Sequence, residues 1–135
     1  MNEHEKIEEI IRLKDQAPVQ LEVDRAALLV IDMQRYFVSP DYPFGRTIEK
    51  LVSGAGAGYF QRVTDVVVPN IKRLLAAFRS RSRPIFFTGT GTYYDGSELP
   101  AWLKDFDNLG MALVGDRIWP RTDDASWQID DSVRP

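Results

Sequence analysis

The run Ala27-Leu28-Leu29-Val30-Ile31-Asp32 sends five consecutive apolar residues straight into a carboxylate. Such a stretch has no polar side to leave in water, and its β-branched end favours extended backbone. It predicts a strand over 26–32 buried on both faces, as in a parallel sheet. An acid at the end of a buried strand is costly unless something there pairs it or uses it, so Asp32 is the first residue of functional interest.

The downstream sequence predicts how that strand is used. A loop marked by Ser39, Pro40, Pro43 and Gly45 and a flexible run over 53–58 lead into a helical pattern over 59–82. Within it Val67, Ile71, Leu74, Leu75 and Phe78 recur at helical spacing. Pro69 lies inside the pattern, which predicts a kink or a fresh helix start. Arg83-Pro84 closes the helix, and Ile85-Phe86-Phe87-Thr88-Gly89-Thr90 reads as a second buried strand. Strand, helix and strand make a right-handed βαβ unit, whose strands run parallel and open their carboxyl ends on one rim. That rim holds Asp32 and the stretch Thr88 to Thr90, where ligands of open α/β sheets bind.

Beyond the second strand, Leu99 to Leu109 predicts a short helix with Trp102, Leu103 and Phe106 on one face, and from Leu113 onward the sequence is loop-like. No third strand stands out. Two parallel strands and one crossover helix leave a sheet face without cover, so the expectation is the front part of a domain. The fold class expected is α/β: the N-terminal part of a doubly wound parallel sheet, three-layer α/β/α, preceded by an amphipathic helix. That helix is predicted over 3–15, with Ile7, Ile10, Ile11 and Lys14 at spacings of three and four, ended by Pro18. The division expected is a helical extension over 1–19 and a domain over 20–135, incomplete at its C-terminus.

Composition removes several classes of function. The net charge of −3 argues against nucleic acid or an anionic membrane as the main partner. No apolar run has the length of a signal peptide core or a membrane span, which makes a cytoplasmic protein the default. The chain has no cysteine, hence no disulfide, thiolate metal site or thiol nucleophile. Its single histidine, His4, lies in the N-terminal helix, so neither a histidine metal site nor a Ser-His-Asp triad is expected. Gly54, Gly56 and Gly58 lack the spacing of a dinucleotide fingerprint and read as a connection. Solvated loop positions account for Asp41, Asp95 and Glu98, so no metal and no cofactor is expected. Trp102, with Tyr93, Tyr94 and Phe106, either walls a pocket or is plain core.

A strand ending in Asp also begins the haloacid-dehalogenase type of phosphatase, where a second Asp stands two positions on. Gln34 occupies that position here, and an amide can serve neither as acid nor as base. The motifs instead resemble the isochorismatase-like cysteine hydrolases, the superfamily of isochorismatases, nicotinamidases and carbamoylsarcosine-type amidohydrolases. The resemblance lies in Arg25-Ala26-Ala27-Leu28-Leu29-Val30-Ile31-Asp32-Met33-Gln34 with Tyr36-Phe37, in Val68-Pro69-Asn70-Ile71 with Arg73-Leu74-Leu75, and in Pro84-Ile85-Phe86-Phe87-Thr88. Ser126-Trp127-Gln128-Ile129 with Arg134-Pro135 is similar to the segment leading into the family's third strand.

The resemblance implies that Asp32 is the acid of an Asp-Lys-Cys triad. In that triad the acid takes the thiol proton, and the thiolate attacks an amide carbonyl, or the site assists hydrolysis of a vinyl ether. It implies that Gln34 and Phe37 are pocket-side residues of the same motif. In the family the lysine and cysteine lie beyond the segment resembling the end of this chain, so the expectation is a fragment inactive by itself. The alternative is a non-catalytic half-domain that binds or completes a partner chain. The partners expected are a small-molecule substrate and either a homo-oligomer or a complementing chain.

Overall fold

The structure is a computed structural model that describes residues 3–14 and 20–134. Its element order is α1 (Glu3–Lys14), β1 (Leu28–Ile31), α2 (Arg35–Val38), α3 (Pro43–Leu51), α4 (Ala55–Arg62), α5 (Val68–Arg79), β2 (Ile85–Thr88) and α6 (Ala101–Val114). Short 3-10 turns occupy Val23–Arg25, Ala125–Trp127 and Asp131–Val133. Pro18, expected to end α1, and the boundary at 19 and 20 fall in or beside 15–19, outside the described residues. No described helix is long and apolar enough to cross a membrane.

β1 and β2 pair in parallel, Leu28 with Ile85 through Ile31 with Thr88, which is the mixed α/β arrangement expected. Period-two alternation sends Leu28, Val30, Ile85 and Phe87 to one face. There they pack with Ile71 and Leu75 of α5, and with Met33, Ile129 and Val133. Both strands were expected to be buried on two faces, and here the structure differs. Leu29 is 53% exposed, Ile31 60% and Phe86 57%, and among the described residues nothing covers that side of the sheet. The continuous apolar run suits a sheet layered on both faces.

The crossover carries two further departures from expectation. The run over 53–58 is largely helical: Gly54 adopts a left-handed conformation (φ 81°) ahead of α4, and Gly56 and Gly58 lie within that helix. From Ala55 to Arg79 the backbone stays helical through a π-helical turn at Val63–Val67, which ends two residues before Pro69. Pro69 cannot donate to the carbonyl four residues back and its ring crowds that oxygen, and the wider turn at this point accommodates both defects.

A second core lies beyond the rim of the sheet. Tyr36, Leu99, Leu103, Ile118 and Trp119 are its buried members, with Phe37, Tyr42 and Phe44 packed against them. It joins α2 and α3 to α6, so the helix after β2 is fastened to the residues just after β1.

Candidate functional site

Asp32 follows β1 with a left-handed backbone (φ 54°), a conformation that aspartate tolerates better than most residues because its short polar side chain bonds locally. Its amide still donates to the Thr88 carbonyl at 3.1 Å, continuing the ladder by one step. The reversal of φ then turns the chain out of the sheet, and the half-buried carboxylate accepts the Thr90 hydroxyl at 3.2 Å through Oδ1. The two strand ends thus meet on one rim, as the βαβ reading requires.

Thr90 is itself gripped from both sides. Its N–H donates to Gln34 Oε1 at 2.7 Å, and its carbonyl accepts the Tyr36 hydroxyl at 3.0 Å. The other end of the Gln34 amide donates to the Trp127 carbonyl at 2.7 Å. Gln34 is 0% exposed, and a Cβ on Gly89 would lie 2.9 Å from its Cδ, so the loop backbone presses flat on the amide. Gly91 is equally constrained, since a Cβ there would come within 2.5 Å of the Trp127 ring. Both glycines allow a close backbone approach, which explains Gly-Thr-Gly between β2 and Thr92.

The segment that reads as loop, from 113 onward, builds the rest of this rim through its main chain. Gln34 and Ile129 form an antiparallel bridge, with Arg35 N–H donating to the Gln128 carbonyl at 3.0 Å and Asp130 N–H to the Met33 carbonyl at 2.8 Å. Thr92 and Arg121 form a parallel bridge that fastens the loop after β2. Arg35 adds side-chain bonds to Asp131 and to the Ala125 carbonyl.

The expected site residues do not all meet at this rim. Asp32 stands there with one oxygen bonded to Thr90 and Oδ2 without a partner among the described residues. Gln34 has both ends of its amide bonded inside the protein, so its side chain braces the loop that carries Thr90. Phe37 belongs to the aromatic cluster, 4.2 Å from Tyr36 and 5.0 Å from Phe44 between ring centroids. Trp102 is 63% exposed on α6, one helical turn from Phe106, which meets Trp119 edge-on. Thr90 and Tyr36 are the members for which periodicity and motif spacing gave no role.

The loop acids have other employment. Glu98 accepts the N–H groups of Tyr94 and Tyr93, the Tyr94 bond foremost in holding its carboxyl below the usual carboxylate range, and Asp95 caps Ser97. Asp41 pairs with the Ser39 hydroxyl. Among the described residues no group of three or more acids and histidines is arranged to hold a metal ion.

Burial, then the negative charge of Asp32 and the Tyr59 phenol, pushes the Tyr36 phenol well above its ordinary value. A raised phenol contributes its full stability below the unfolded tyrosine pKa, about 10, and loses it as pH rises toward the folded value. Stability should therefore fall above about pH 10, by up to about 1.4 kcal/mol per pH unit from this group. Tyr36→Phe should remove that part of the slope in urea unfolding followed between pH 9 and 11, conditions chosen to straddle the unfolded value of about 10. Equal slopes for the two proteins would show that Tyr36 ionises as freely when folded as when unfolded.

A profile of the isochorismatase domain family matches residues 26–134, most of the chain. The protein belongs to the isochorismatase domain family, and with that to a family of hydrolases. No curated protein and no solved structure matches the chain.

Proposed function

We propose that this chain contributes the acid of an isochorismatase-type hydrolase site, with Asp32 as the group that takes a proton from a thiol. The supporting observation is the placement of its carboxylate: at the carboxyl end of β1, turned out of the ladder, oriented by Thr90 through one oxygen and open at the other. An acid held this way can accept a proton at Oδ2 without losing its orientation. The thiolate so formed attacks the carbonyl carbon of a small-molecule amide, the C–N bond breaks as the proton held by the acid goes to the leaving amine, and water then cleaves the resulting thioester to the carboxylic acid and the free thiol. A vinyl ether of a small molecule is the other substrate class of the reading.

The chain holds no cysteine, so the thiol is assigned to polypeptide outside these 135 residues, in the same chain or another, and the triad lysine goes with it because the resemblance places it beyond the segment like 126–135. Phe37, stacked beside Tyr36, is assigned to an apolar wall for the substrate, and Gln34 to holding the rim in place.

The test has two arms. The 135-residue chain alone should hydrolyse neither amides nor vinyl ethers, and turnover by it would overturn the role of a thiol. Together with the polypeptide that completes the site, Asp32→Asn should lower kcat by a factor on the order of 10² to 10⁴, the usual worth of a positioned base. Unchanged kcat would remove Asp32 from the chemistry. A second reading, a non-catalytic half-domain that completes a partner chain, draws on the open sheet face at Leu29, Ile31 and Phe86. It predicts a stable complex without turnover in the same assay.

A further inference from the structure

A cleft of about 670 Å³ opens between α3, α4 and the end of α6. Its volume lies inside the roughly 300–1,000 Å³ usual for small-molecule sites. None of its lining residues belongs to the Asp32, Thr90, Gln34 and Tyr36 network.

The floor consists of Gly45, Gly56 and the buried ring of Phe60. A Cβ on Gly45 would come within 2.6 Å of the Pro40 backbone and 2.9 Å of Phe60 Cζ, so these lining residues are in tight mutual contact. The space above the floor is a concavity rather than a loosely filled core. Ala57, Leu113 and Val114 make its walls apolar.

Three charged residues, all on α3, stand among the lining: Arg46, Glu49 and Lys50. Two of them are engaged. Arg46 pairs with Asp116 at 3.3 Å. Glu49 accepts the Gly54 N–H at 2.9 and 3.0 Å through its two oxygens and the Ser53 hydroxyl at 3.1 Å. Lys50 has no partner among the described residues, and with Arg46 it sets two cations in the lining against the single carboxylate of Glu49, whose oxygens already accept neutral donors. We propose that this cleft binds a small, mostly apolar organic anion, with its body against Gly56, Phe60 and Leu113 and its charge at Lys50.

Titration of the ¹⁵N-labelled chain with octanoate, octanol and octylamine tests this. Octanoate should shift the amides of Gly56, Ala57, Leu113 and Val114, and bind about threefold to fivefold more tightly than octanol, the worth of one exposed ion pair. Octylamine should bind about tenfold more weakly than octanoate, since attraction becomes repulsion of similar size. Lys50→Met should abolish the preference for octanoate over octanol. Ala57→Trp, at an exposed helix position on the cleft wall, should weaken both ligands at least about tenfold by filling the apolar space. Absence of shifts, equal binding of octanoate and octylamine, a preference that survives Lys50→Met, or shifts centred on Leu29, Ile31 and Phe86 would each overturn the proposal.

Discussion

Asp107→Ala should lower the unfolding free energy by about 3–5 kcal/mol, the range for removing one partner of a buried ion pair. Asp107, 6% exposed on α6, takes four donors. Arg117 Nε and Nη2 approach Oδ2 at 2.7 and 2.5 Å, and the N–H groups of Ile118 and Trp119 approach Oδ1 at 3.0 Å each. Alanine would leave two buried N–H groups and a half-buried cation unanswered, and each orphaned neutral donor alone costs about 1–3 kcal/mol. The same carboxylate fixes where the chain returns after α6, and so where Trp119 stands against Tyr36 and Phe37. Arg117→Ala should cost clearly less, because Arg117 keeps 30% of its side chain in water and Asp107 would retain both backbone donors. Urea unfolding followed by circular dichroism measures both. A loss below about 1 kcal/mol for Asp107→Ala, no more than an average single hydrogen bond, would show that this junction does not hold the second core together.

Gln34→Ala is the second large effect, about 2–4 kcal/mol, the lower part of the range for two orphaned groups at about 1–3 kcal/mol each, because the N–H and the carbonyl left unpaired are part-buried. Those groups are the Thr90 N–H and the Trp127 carbonyl, each 2.7 Å from the amide of a residue that is 0% exposed. The loss has a local signature that a general weakening of the core would not have. The Thr90 amide should exchange with solvent at a rate set by loop opening while amides of α5 stay protected, because Gln34 is its acceptor. If Thr90 remains as protected as α5 in the variant, the bracing role of Gln34 is wrong. Where a completed site is assayed, the same substitution should also lower kcat, since Thr90 would no longer hold the Asp32 carboxylate.

Much of this was legible along the chain because it depends on near neighbours. Apolar continuity marked both strands, helical spacing marked the crossover and α6, and the right-handed βαβ rule brought Asp32 and Thr90 to one rim. Element edges were less legible. The pattern over 59–82 is a helical stretch from Ala55 to Arg79, and the helix expected over 99–109 is Ala101–Val114. Glycine does not prevent a helix where flanking alanines and tertiary packing favour one, and Pro69 is absorbed by a π turn that no propensity marks.

The partners of the site residues were not legible, because they lie far apart in sequence and meet through backbone atoms. Gln34 bonds Thr90 and Trp127, 56 and 93 residues away, through an N–H and a carbonyl that every residue type but proline presents alike. A motif gives the amide; only the fold gives its neighbours.

What the amino-acid sequence determined by itself is the parallel strand pair, the crossover, the acid at the end of β1 and the absence of any thiol to go with it. These come from residue type and from period along one chain. Tertiary structure alone decided that the carboxylate turns outward beside Thr90, that Gln34 and Tyr36 clamp that threonine, and that one face of the sheet remains open at Leu29, Ile31 and Phe86. An apolar strand specifies that its faces need cover, whereas which segment supplies it depends on contacts that no local pattern encodes.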